Sequence, residues 1–224
     1  MARIIFQDRM DAGRKLAEHL ARYANREDVL VLALPRGGVP VAFEVAAALH
    51  LPMDVFVVRK LGVPGYEELA LGALASGGVL VRHDDLIRRL GIGEGAVNAV
   101  IAREEMELRR RELEFRSGRR ELEVEGRIVL LVDDGMATGA TMSAAVLALR
   151  QRGPARIVVA VPVGALNTCE NMRRIADEVV CAHSPQAFVA VGSWYLNFVQ
   201  TTEDEVRDLL ARADRTTNTQ AARS

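Results

Sequence analysis

Two adjacent aspartates, Asp133 and Asp134, end an unbroken aliphatic run, Ile128 to Val132, and lead into Gly135-Met136-Ala137-Thr138-Gly139-Ala140-Thr141. A run without polar alternation reads as a strand buried on both faces of a parallel sheet. A helix is expected next, from Met142 to Arg152, stopped by Gly153-Pro154. Strand, small-residue loop and helix N-terminus, in that order, make an anion site, because unpaired N–H groups and the positive end of the helix dipole converge on the loop. Gly135 and Gly139 let the main chain come close to a phosphate, and Thr138 and Thr141 add hydroxyl donors. The carboxylates do not favour that phosphate. They suit a neighbouring group that donates hydrogen bonds, such as a ribose diol, or one that carries a metal. The parts together describe a site for a sugar with a 5′-phosphate; the plain alternative is a buried strand ending in a solvated Asp pair.

The same design occurs earlier, with a cation added. Val29 to Leu34 is another buried-strand run, followed by Pro35-Arg36-Gly37-Gly38-Val39-Pro40 and a helix over Val41 to Leu49. Exposed N–H groups plus the Arg36 guanidinium would seat a strongly anionic group, unless Gly37-Gly38 merely shapes a strand-to-helix turn. A third run, Met53 to Val58, ends at Arg59-Lys60. Cations at the carboxyl end of a parallel strand face the crevice where open α/β sheets bind ligands. Lys60 stands out because the basic residues are otherwise arginine, apart from Lys15. A solvated strand end is the alternative for this pair.

Hydrophobic residues, two acids and G-x-A-T-G-A-T resemble the signature of the type I phosphoribosyltransferases, which binds phosphoribosyl pyrophosphate (PRPP). The resemblance implies that Asp133 and Asp134 hold the ribose hydroxyls and that Gly135 and Ala137 to Thr141 wrap the 5′-phosphate. It implies that Arg36, Gly37 and Gly38 bind the pyrophosphate, with a cis peptide at Pro35–Arg36. Arg59-Lys60 is similar to the pair opening the catalytic loop of the orotate branch, where the lysine side steadies the leaving pyrophosphate. The loop after it, Leu61 to Glu68, departs from that branch. Phe188-Val189 is similar to the base-binding region of the purine-salvage branch, where a phenylalanine stacks on the base and the next backbone reads its edge; Trp194 is a further acceptor-site candidate, and aromatic packing is the alternative. The resemblance also implies Mg²⁺, carried mainly by PRPP with no direct protein ligand set.

Around these motifs, Arg3 to Phe6 reads as a short strand and Asp8 to Tyr23 as an amphipathic helix. Leu69 to Ser76 and Val79 to His83 flank Gly77-Gly78 as a hairpin. Asp84-Asp85 would cap a short helix to Leu90. Gly91 to Ala96 fits G-x-G-x-x-A by letter, but no strand precedes it, so it reads as a turn. Glu94 to Arg120 is a charge-dense helix with Glu105–Arg109, Glu107–Arg111 and Glu112–Arg116 spaced as i,i+4 pairs and a narrow seam of Val97, Ile101, Leu108 and Phe115. A solvated face, a lid and a dimer contact, hence a homo-oligomer, all stay open for it. Strands at Ala155 to Val161 and Glu178 to Ala182 and a helix over Asn167 to Ile175 complete the core, and Thr202-x-x-Glu205 opens a last helix to Ala213.

The 224 residues, 50% hydrophobic and 26% charged, suit a single α/β domain with a full core. A formal charge of −1 and 4% aromatics disfavour nucleic acid as a partner. The longest apolar run, near Ile157 to Cys169, is too short to span a bilayer, no signal peptide is evident, and Cys169 and Cys181 lack metal-ligand spacing. A cytoplasmic protein is therefore expected. With no G-x-x-x-x-G-K-[ST], a P-loop NTPase is disfavoured. The expected fold is a doubly wound, mostly parallel sheet with helices on both faces, a core of about 25–183, a small hood from about 1–24 and 184–213, and a disordered tail at 214–224. The expected function is PRPP-dependent phosphoribosyl transfer to a nitrogenous acceptor, a nucleobase or related amine, with pyrophosphate released; the alternative is a non-catalytic PRPP or nucleotide sensor.

Overall fold

The aliphatic runs become the strands of one parallel sheet. A computed structural model describes residues 6–116 and 123–221, the side chains of residues 67, 68, 116 and 216–221 excepted. The chain enters through α1 (Arg9–His19), whose N-cap Asp8 accepts the Asp11 N–H at 2.8 Å. β1 (Val29–Ala33), α2 (Gly38–Leu49) and β2 (Met53–Val55) follow. An antiparallel unit comes next, β3 (Val58–Val63), β4 (Tyr66–Ala75) and β5 (Val79–Arg82), then α3 (Asp84–Arg89) and α4 (Glu94–Arg116). The second half is β6 (Ile128–Val132), α5 (Ala140–Arg150), β7 (Arg156–Val163), α6 (Leu166–Met172) and β8 (Glu178–His183), closed by a 3₁₀ turn, Val191–Trp194, and α7 (Glu203–Ala221).

The five-stranded sheet has the order β2-β1-β6-β7-β8, parallel throughout. From β1 the chain moves outward to β2, and from β6 it moves the other way to β7. The strand order therefore reverses between β1 and β6, and a crevice at their carboxyl ends is where such sheets place ligands. β1 and the last four residues of β6 are fully buried because α1, α2 and α7 cover one face and α5 and α6 the other. The doubly wound fold expected from the sequence is the observed one. Among the described residues no helix is long and apolar enough to cross a membrane.

Several local expectations need correction. The run Met53 to Val58 is two strands, not one: β2 ends at Val55, and Val58 already pairs with Ala75 in the antiparallel unit. Arg59 and Lys60 therefore lie inside β3 of a hairpin, not at the carboxyl end of a parallel strand. The Gly77-Gly78 hairpin is observed, with both glycines at positive φ (82° and 74°). Asp84 and Asp85 occupy the first turn of α3, where their charges complement the positive end of the helix dipole, and neither caps it. α5 starts two residues earlier than expected, at Ala140. α4 is a packed element: Val97, Leu108 and Phe115 are buried, and the helix lies along β3, β4 and α7. Its Glu105–Arg109 and Glu107–Arg111 pairs form at 2.7 Å, while the Arg116 side chain falls outside the described residues. α7 runs to Ala221, past the expected end at Ala213, and Thr202 Oγ1 accepts the Glu205 N–H as the capping spacing requires. The expected strand at Arg3 to Phe6 falls almost wholly outside the described residues; Phe6 itself bridges Tyr195.

Candidate functional site

The crevice is built from the loops after β1 and β6, and the two touch. The Leu34 N–H donates to the Val132 carbonyl at 2.9 Å, continuing the β1–β6 ladder into the turn. The Pro35–Arg36 peptide is cis, as the resemblance implied. Gly37 and Gly38 then pass so close to the acidic pair that no side chain fits. A Cβ on Gly37 would stand 2.1 Å from Asp134 Oδ2, and one on Gly38 would stand 2.8 Å from the Val132 carbonyl oxygen and 2.9 Å from Asp133 Cα. The glycine pair thus sets the approach of the two loops. The Gly38 N–H is already donated to the Leu34 carbonyl at 3.1 Å, so Gly38 contributes closeness and not a donor. Arg36 is half-buried, its Nη1 3.9 Å from Glu203 Oε1, beside a cleft of about 290 Å³ that Asp204 and Arg207 also line.

Asp133 and Asp134 stand at the floor of the crevice, half-buried and adjacent. Asp133 Oδ1 accepts the Asp134 N–H at 2.8 Å. Burial first, then the neighbouring Asp134 charge, pushes Asp133 well above the ordinary carboxylate range. Burial raises Asp134 too, against the pull of Arg9. Arg9, at the first position of α1, donates from Nε to Asp134 Oδ2 at 2.8 Å and from Nη1 to the Val199 carbonyl at 2.7 Å. Its guanidinium lies 3.9 Å from the centre of the Phe198 ring. Tyr195 Oη donates to the Asp134 carbonyl, and burial raises that phenol, so it remains a donor at neutral pH.

Past the aspartates the loop is shaped as an anion cradle. Met136 pairs with the end of β7: its N–H donates to the Val163 carbonyl and its carbonyl accepts from the Ala165 N–H, both at 2.9 Å. Thr168 of α6 donates to the Ala137 carbonyl at 2.7 Å. Gly139 takes a left-handed conformation (φ 74°) as the N-cap of α5, turning the loop into the helix. Ala137, Thr138 and Thr141 are exposed. The first N–H groups of α5 have no intrahelical acceptor, and the Ala140 N–H reaches only Thr138 Oγ1, at 3.4 Å. This loop end can bind a phosphate monoester, with the carboxylates set to accept hydrogen bonds from an attached diol.

The segment after β8 borders the same loop. Val191 Cγ1 would lie 2.5 Å from a Cβ on Gly135. Phe188 is half-buried and stacks on Trp194 with ring centroids 6.4 Å apart, and Val189 is exposed. Trp194 is 5% exposed, held between Phe188 and His183, so its ring is taken up in packing and has little face left for an acceptor. Arg59 is not brought to the crevice by its own contacts. It pairs with Glu104 of α4 through Nε at 2.8 Å and Nη2 at 2.6 Å, and Glu104 is buried. Lys60, its neighbour on β3, is half-buried. Sequence reasoning missed Arg9, Thr168 and Tyr195, whose partners are 125, 31 and 61 residues away. Only the rarity of aromatics marked Tyr195; no local pattern marked the other two.

A family model, the phosphoribosyl transferase domain, matches residues 5–205. Two Mycobacterium tuberculosis proteins with the provisional name phosphoribosyl transferase, MT0597 and Rv0571c, are 50% identical over 211 residues, 94% of this chain and 47% of theirs. The chain thus spans about half the length of these curated relatives. The crystal structure of TT1426 from Thermus thermophilus is 44% identical with a TM-score of 0.85, the match covering 93% of this chain and 98% of that one.

Proposed function

Because the chain belongs to the phosphoribosyl transferase domain family, we propose that it transfers the 5-phosphoribosyl group of PRPP to a nitrogenous acceptor and releases pyrophosphate. The observation that carries this reading is the contact between the two loops at the switch point. Gly37 and Gly38 pack on Asp134 and Asp133, so a seat for a diphosphate and a grip for a ribose diol are adjacent. The phosphate cradle of 137–141 follows directly. That order of seats matches the order of groups in PRPP.

In this mechanism the bond from the anomeric carbon to the pyrophosphate oxygen breaks, its electron pair leaves with pyrophosphate, and the acceptor nitrogen forms the new bond. The sugar passes through an oxocarbenium-like state, and most of the barrier lies in placing the groups and offsetting charge on the leaving group. Asp133 and Asp134 orient the ring through its hydroxyls, and the 137–141 amides with Thr138 and Thr141 fix the 5′-phosphate. Arg36 meets the pyrophosphate first, since Arg59 is engaged by Glu104; Lys60 is assigned a second contact with the leaving group. Bound through pyrophosphate oxygens, Mg²⁺ would offset further negative charge there. Phe188 and the exposed Val189 backbone are the assigned acceptor contacts, with a nucleobase or related amine as the acceptor class and the cytoplasm as the setting.

The test is PRPP-dependent pyrophosphate release against a panel of purines, pyrimidines and simple amines. One acceptor that supports turnover establishes the transferase. PRPP binding with no release for any acceptor would favour a sensor that keeps the donor site, and no PRPP binding would end the proposal.

A further inference from the structure

Arg9 is the residue in the crevice that the proposed chemistry leaves without a task, and it is firmly held there. Arg9 and Asp134 side chains are 11% and 14% exposed and paired at 2.8 Å. The same guanidinium lies on the Phe198 ring and donates to the Val199 carbonyl. Tyr195, in the same C-terminal segment, holds the main chain of Asp134 from the other end. One side chain from α1 therefore ties the ribose-site carboxylate to the segment 195–199, alongside the Tyr195 hydrogen bond to Asp134 and the Phe6–Tyr195 bridge.

We infer that Arg9 is a positioning residue for the donor sugar: it holds Asp134 charged and aimed at the ribose diol, and couples that aim to segment 195–199. This rests on the PRPP reading above. The physical case is that two adjacent, half-buried carboxylates resist carrying two charges at once. The groups facing Asp134 are Asp133 from its own loop, Arg9 from α1 and the Tyr195 phenol from the C-terminal segment; Gly37, from the turn before α2, brings no charge. Of these, Arg9 alone favours the ionised form. Nε meets only Oδ2, which leaves Oδ1 and a second lone pair of Oδ2 to accept from a hydroxyl. Without Arg9, Asp134 would keep its place in the loop but would be protonated at a higher pH, and it would then present a donor where the diol needs an acceptor.

The experiment titrates wild type, Arg9→Met and Arg9→Lys with PRPP and, separately, with magnesium pyrophosphate, by calorimetry over a pH series, with thermal melts alongside. Arg9→Met is expected to weaken PRPP binding on the order of tenfold or more at neutral pH. It should leave pyrophosphate binding unchanged and shift the pH at which PRPP binding falls off upward. Arg9→Lys keeps the charge without the fork and should recover part of the loss. Phe198→Leu, which removes only the ring, is a second variant and should weaken PRPP in the same direction by less. If wild type binds PRPP and Arg9→Met binds it equally well with the same pH profile, Arg9 has no positioning role. Equal loss of PRPP and pyrophosphate binding overturns the inference too, because it marks a general structural defect. A wild type that binds pyrophosphate but not PRPP removes the donor-site reading itself.

Discussion

Replacing both aspartates, Asp133→Asn with Asp134→Asn, separates binding chemistry from folding. Each aspartate is assigned one ribose hydroxyl; a hydrogen bond to the charged Asp134 is worth about 1.5–3 kcal/mol and one to Asp133, which resists ionisation beside it, about 0.5–1.5 kcal/mol. Losing both removes about 2–4.5 kcal/mol of donor recognition, or roughly 10- to 10³-fold in kcat/KM. The fold should survive, because Asn Oδ1 can still accept the Asp134 main-chain N–H that Asp133 accepts now. Asp133 should become easier to bury. Its folded-state pKa is raised, by burial first and then by Asp134, so its favourable contribution is complete below the ordinary carboxylate pKa and is lost as pH rises through the folded value. At neutral pH the single variant Asp133→Asn should therefore melt no lower than wild type, and wild type should catch up as the buffer is acidified. Asp134→Asn is different, since it leaves the nearly buried Arg9 without a counter-charge and should lower the melting temperature. Pyrophosphate release and melting curves over a pH series read both effects. A double variant that keeps full activity, or an Asp133→Asn protein that unfolds, would refute the reasoning.

Gly38→Ala should destabilise by about 1–3 kcal/mol, because the new methyl meets main-chain atoms of Val132 and Asp133 that cannot swing aside; denaturant melts measure it. Arg59→Ala should cost about 1–3 kcal/mol of stability, since buried Glu104 would keep only Arg103, 3.0 Å away, while the folded fraction keeps its kcat/KM. Lys60→Ala should instead lower kcat of the folded fraction about tenfold or more, as a charge lost from the leaving-group side; pyrophosphate-release kinetics measure it. Arg36→Gln should weaken magnesium pyrophosphate binding by roughly tenfold or more, read by calorimetry, without loss of the sheet signal in circular dichroism.

The centre of the molecule is legible in the sequence because burial on both faces leaves a plain mark. Ile128 to Val132 and Val29 to Ala33 carry no polar residue, and both are inner strands of the parallel sheet. The motifs that follow them lie at the ends of those strands, so finding the strands places the loops. Phe56-Val57-Val58 hides a boundary for the same reason: the hydrophobic run continues while the chain leaves one sheet for another, and only Val57 separates Phe56, whose N–H still bonds Ala33, from β3. Arg59 and Lys60 are misplaced with it. Gly37-Gly38 reads as a phosphate seat, and the close approach to Asp133 and Asp134 supplies a second reason for the pair that a single loop cannot reveal. Arg9 is illegible because its meaning depends on Asp134, 125 residues on, and an arginine at a helix start resembles any solvated cation.

The account stands most directly on the crystal structure of the protein with PRPP and Mg²⁺. It predicts the 5′-phosphate on the amides of 137–141, the ribose hydroxyls on Asp133 and Asp134, and the pyrophosphate against Arg36 and Gly37. PRPP bound elsewhere, or bound with its diol turned away from both carboxylates, would contradict it.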